Sequence, residues 1–136
     1  MNFITTTLAA LVLALPASAQ VVIVSAKNPI SKMTKEQVAM LFLGQTHTFI
    51  TGGQAEALDL AEDAALRKSF YQAVANKAPA QMKAHWSKLE FSGGGHAPRA
   101  LATSADVVKQ VAENPKFIGY VDAGAVTAGV KVVLTL

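Results

Sequence analysis

A chain of 136 residues with no cysteine and a formal net charge of +3 has room for one domain with its own apolar core. Disulfide stapling and thiol chemistry are excluded, so packing alone carries the stability. The basic residues, from Lys27 to Lys131, are spread without a run or interleaved aromatics, which gives nucleic-acid binding no support while tolerating small anions.

The first stretch reads as an export signal. Residues 8–15 form an apolar run too short to span a bilayer, and Ala17-Ser18-Ala19 is a small-x-small cleavage site, although Lys and Arg are missing from the n-region. Cleavage after Ala19 is expected to leave residues 20–136 as one domain. No later segment is long and apolar enough to cross a membrane, so the expected product is soluble and periplasmic, with no membrane insertion after cleavage.

Residues 21–24, Val-Val-Ile-Val, predict a strand buried on both faces. Asn28-Pro29 turns the chain. Thr34 then offers an N-cap with Gln37 three residues on, and Val38, Leu41 and Phe42 share one helical face until Gly44 stops the helix. Phe49-Ile50, the turn Thr51-Gly52-Gly53 and residues 57–60 predict an extended piece, a glycine turn and a strand. Glu62 and Asp63 are expected to open a helix that carries Leu66, Phe70 and Val74 on one face, with Asp63 as a cap. Pro79 suits the first turn of the next helix, whose stripe is Met82, Trp86 and Leu89. A further helix from Thr103 or Ser104 carries Val107, Val108 and Val111, and residues 117–121 and 130–136 close the chain as strands. Strands alternating with helices argue for an α/β domain with a mainly parallel sheet flanked by helices. In such sheets ligands gather beyond the carboxyl ends of strands and near helix N-termini, here at residues 25–34, 61–66 and 91–99.

The most unusual stretch is Phe91-Ser92-Gly93-Gly94-Gly95-His96, with Arg99 three residues on. Three readings are open for it. The glycines make a connector that reverses the chain. Alternatively, consecutive amides with Ser92, His96 and Arg99 form a nest for an anion. A surface for docking a partner protein is the third. His47, His85 and His96 lack metal-ligand spacing, no cofactor motif is present, and Trp86, Phe42 and Phe70 fall on helical stripes as core residues. No nucleophile, base and orienting group assemble with catalytic spacing, so a binding role is favoured over an enzyme.

Four segments in order, "NPISKMTKEQVAMLFLGQTHTF", "LRKSFYQAV", "AHWSKLEFSGGGHAP" and "NPKFIGYVD", resemble the successive landmarks of periplasmic phosphate-binding-protein-like domains, the type II solute-binding class of phosphate ABC transporters. The resemblance covers residues 22–133. It implies a lobe of a two-lobed binding fold, phosphate or another small oxyanion as ligand, and an ABC transporter or other envelope protein as partner. It also implies a Ser-Gly-Thr-Arg type sequence at a helix N-terminus that holds phosphate. The matching positions here read Asp63-Ala64-Ala65-Leu66-Arg67, so Arg67 alone is kept, and acids stand where an anion would approach. A different reading is an interaction or sensory module that kept the fold and lost the ligand.

Overall fold

Six consecutive buried residues, Gln20–Ser25, form the strand β1 near the middle of a sheet in a computed structural model that describes residues 19–136. The expected export signal lies outside the described residues except for Ala19. After β1 come α1 (Lys35–Phe42), β2 (Glu56–Leu60), α2 (Ala65–Ala75), α3 (Pro79–Phe91), β3 (Arg99–Leu101), α4 (Ser104–Glu113), β4 (Phe117–Asp122), a 3-10 turn (Ala123–Ala125) and β5 (Val130–Thr135).

The five strands lie in the order β3-β2-β4-β1-β5. β2 runs parallel to β3 and to β4, whereas β1 runs antiparallel to both of its neighbours. Four strands therefore point one way and β1 runs against them. A strand buried on both faces carries no facing pattern in its sequence, so its direction had no sequence signal. β3, which pairs Arg99 with Leu58 and Leu101 with Leu60, is a short strand within and just beyond the segment expected to be only a loop.

The period-2 alternation of β4 divides the two layers of helices. Gly119 faces α4 so closely that a Cβ there would lie 2.4 Å from Val107 Cγ1. Tyr120 points the other way, stacked on Phe70 of α2 at 3.9 Å between ring centroids and edge-on to Phe42 of α1 at 5.7 Å. Burying each such ring stabilises by about 1.5–3 kcal/mol, and the ring geometry adds roughly 0.5–1.5 kcal/mol per pair.

The helix α1 forms as its sequence requires. Thr34 Oγ1 accepts from the Gln37 amide at 3.1 Å while Gln37 Oε1 accepts from the Thr34 amide at 3.0 Å, closing a capping box. Beyond its end, Gly44 has φ +72° and the Trp86 ring lies 2.9 Å from where its Cβ would stand. His85, next to Trp86, bonds through Nε2 to the Leu43 carbonyl at 2.8 Å. Thus α3 docks on the turn that ends α1. Glu62 and Asp63, by contrast, are not in a helix: α2 starts at Ala65 with Ala64 as N-cap and no side-chain cap. A turn closed by the Ala64 amide on the Ala61 carbonyl at 2.9 Å holds the two acids ahead of the first helical turn, so Asp63 caps nothing.

Candidate functional site

Asp59 sits near the carboxyl end of β2 with 2% of its surface exposed, and a carboxylate so deep is tolerable only when its acceptor sites are filled. They are. Oδ1 accepts from the Leu60 amide at 2.8 Å and from the Tyr120 hydroxyl. Oδ2 accepts from the Tyr71 hydroxyl at 2.6 Å and faces Arg67 Nε at 3.5 Å. With two donors on each oxygen, the carboxylate has little capacity left for a further partner. Burial first, and then the neighbouring Asp59 carboxylate, holds both phenols far above the ordinary tyrosine range, so both remain protonated donors.

Arg67, in the first turn of α2, is held from two sides, by Asp59 at Nε and by the Tyr71 ring, whose centroid lies 5.6 Å from its Cζ. Its side chain is 18% exposed and lines a cleft of about 340 Å³ between the end of β2, α3 and the segment before β3. Lys83 also lines this cleft, opposed by Glu62 and Glu90, with Ser87 and Trp86 on the α3 wall. Among the described residues, Arg67 is paired through Nε alone, which leaves the donors of its terminal amino groups free. The first amides of α2 meet the same end of the sheet with no side chain capping them, a positive dipole end.

The candidate residues of the glycine stretch are divided. The amides of Ser92, Gly93 and Gly94 bond the carbonyls of Lys88, Glu90 and Leu89 at 3.1, 3.2 and 2.7 Å, and Ser92 Oγ donates to the Leu89 carbonyl at 3.1 Å. These donors close the C-terminus of α3, the negative end of its dipole. The expected nest is therefore a helix cap at these three residues, with Gly93 at φ +74° supplying the left-handed turn. Gly95, His96 and Arg99 line a neighbouring cleft of about 370 Å³ with His47, Glu56 and Trp86. Arg99 reaches Gln110 Oε1 at 3.4 Å and lies 5.8 Å from the centroid of the Phe117 ring. The structure thus separates Arg67 from His96 and Arg99, the two clefts meeting at Trp86, Ala97 and Pro98.

Asp59, Tyr71, Tyr120 and Lys83 were not among the expected site residues. One signal was available for Asp59, an acid alone inside the otherwise apolar strand Ala57-Leu58-Asp59-Leu60, where a charge without a partner would be costly. Among the described residues, no three His, Asp or Glu side chains gather as metal ligands.

No protein-family model matches the chain, and no curated protein sequence does. Solved structures do. An ABC-type phosphate transport receptor from Vibrio cholerae superposes with a TM-score of 0.67 at 16% identity, over 85% of this chain and 45% of that one. A putative phosphate ABC transporter substrate-binding protein from Clostridium perfringens, with bound phosphate, gives 0.65 at 18% identity, over 85% and 44%. PstS from Borrelia burgdorferi gives 0.64 at 14%, over 85% and 46%. The chain spans less than half the length of these structures, and at such identities the likeness is one of fold. Over 85% of its length the chain shares its fold with part of each of these phosphate-binding proteins.

Proposed function

We propose that this is an exported binding domain, not an enzyme, which takes phosphate or a similar tetrahedral oxyanion at Arg67 in connection with ABC-type uptake. The observation that carries the reading is the posture of Arg67: Nε is turned to Asp59 and the side chain lines a cleft at an uncapped helix start. A guanidinium with free terminal amino groups suits two oxygens of an anion at once. The fold neighbours, one of them with bound phosphate, support the same class of ligand. Export follows from the apolar run over residues 8–15 and the Ala17-Ser18-Ala19 site.

Binding is weak in this reading. Glu62 and Glu90 share the cleft with the cations, and an open cleft leaves the anion partly hydrated, so each hydrogen bond contributes little beyond what water offers. A dissociation constant in the high micromolar range or above, a binding free energy of about 5 kcal/mol, is expected. Titration calorimetry with phosphate at low salt tests this, and Arg67→Gln should weaken binding by about tenfold or more. Equal affinity in Arg67→Gln would remove Arg67 from the site. One observation favours an interaction module instead: Phe91, at the end of α3, is 96% exposed, a costly place for an aromatic ring without a partner.

A further inference from the structure

We propose that Asp59, pinned by Tyr71 and Tyr120, is a built-in counter-ion that competes with an incoming oxyanion for Arg67 and thereby holds the affinity of the cleft low. This rests on the oxyanion reading of the cleft. It makes Asp59 an affinity-determining residue that need not touch the ligand.

The geometry carries the argument. Asp59 cannot swing away when an anion arrives, because donors from three separate elements hold it: the Leu60 amide in β2, the Tyr71 hydroxyl in α2 and the Tyr120 hydroxyl in β4. Arg67 is equally constrained, at Nε and over the Tyr71 ring. An anion accepting from the terminal amino groups at ordinary charge-assisted distances therefore lies within about 6–7 Å of a fixed negative charge. At an effective dielectric near 20, that repulsion corresponds to several tens of fold in affinity, on the order of tenfold or more after screening. Opposing it, Asp59 keeps the arginine ordered, and an arginine freed of that partner must be immobilised by the ligand, at a cost of about two- to tenfold. The electrostatic effect is the larger, so removing the charge should strengthen binding even though it weakens the fold. A residue with a purely structural role would not do that.

The test is Asp59→Asn, which keeps the shape and removes the charge. Phosphate affinity by calorimetry at low salt should rise by about three- to tenfold, and the double variant D59N/R67Q should lose the gain. Phosphate binding that is equal or weaker in a folded D59N would overturn the counter-ion and leave the oxyanion reading standing. An absence of phosphate binding in both the unaltered protein and D59N would overturn both. Should D59N fail to fold, the Arg67 Nε–H resonance of the unaltered protein answers the question. Coupling is reciprocal, so a charge that weakens phosphate binding is itself paired less strongly once phosphate is bound. The resonance should shift part-way toward its value in urea at saturation while Asp59 stays in place, and a resonance unmoved at saturation refutes the counter-ion.

Discussion

Tyr71 and Tyr120 are the only tyrosines in the chain, and both hydroxyls donate to the same buried carboxylate, so alkaline pH is a direct probe of the network. In the folded protein, burial and then Asp59 raise both phenols far above their ordinary value of 10.0. The unfolded chain has no such restraint and releases these protons above about pH 10. Above that pH the unfolded state binds fewer protons than the folded one, so stability falls as pH rises; below it the contribution is fully present. Each tyrosine should remove about 1 kcal/mol between pH 10 and 11, approaching about 1.4 kcal/mol per further pH unit. Tyr71→Phe deletes one donor and keeps the ring. At pH 8 it should cost about 1.5–3 kcal/mol, as a lost hydrogen bond to a charged group, and it should remove one tyrosine's share of the alkaline loss. Urea unfolding at pH 8, 10 and 11 measures both effects. Tyrosinate absorbance in the unaltered protein should rise only with the loss of circular dichroism, since the folded state holds both protons. Ionisation of either tyrosine near pH 10 in the folded protein, or equal alkaline slopes for the unaltered protein and Tyr71→Phe, would refute the reasoning.

Gly119→Ala should destabilise by about 1–3 kcal/mol through overpacking against Val107; thermal unfolding checks it, and adding Val107→Ala should recover part of the loss if the clash is the cause. Gly93→Ala, at φ +74°, should cost about 1 kcal/mol because the left-handed cap disfavours a Cβ. Its phosphate affinity should be unchanged, and a loss of affinity at intact stability would restore the glycine run as an anion site.

Local devices were legible in the sequence and long-range ones were not. The Thr34 and Gln37 capping box, the Pro79 start of α3 and the Met82 and Trp86 stripe each depend on residues a few positions apart, and the structure has them. The start of α2 was displaced because acids suited to a helix N-terminus stand instead in a turn closed by backbone alone. β3 has three residues, and its strand state comes from pairing with β2 some 41 positions away, which no window of sequence reveals. The Asp59 network has the same origin. Its tyrosines lie 12 and 61 positions from it, and each reads alone as an ordinary core aromatic.

The segments that carried the family resemblance turn out to be packing devices. Gly44 of "LFLG" makes room for Trp86, and Gly119 of "IGYV" makes room for Val107; both are close approaches that any larger residue would break. Such positions fix how closely the helices sit against their neighbours. They say nothing about the ligand, because a fold transfers the shape of a cleft and its helix ends, while affinity depends on the side chains placed there. In this chain those side chains are an arginine with a fixed counter-ion, a lysine and two opposing glutamates. An anion entering the cleft meets nearly balanced charge, so hydration competes with it on almost equal terms. Tight capture would require further donors brought by a second surface, because the loss of Asp59 alone gains about tenfold at most on a weak site.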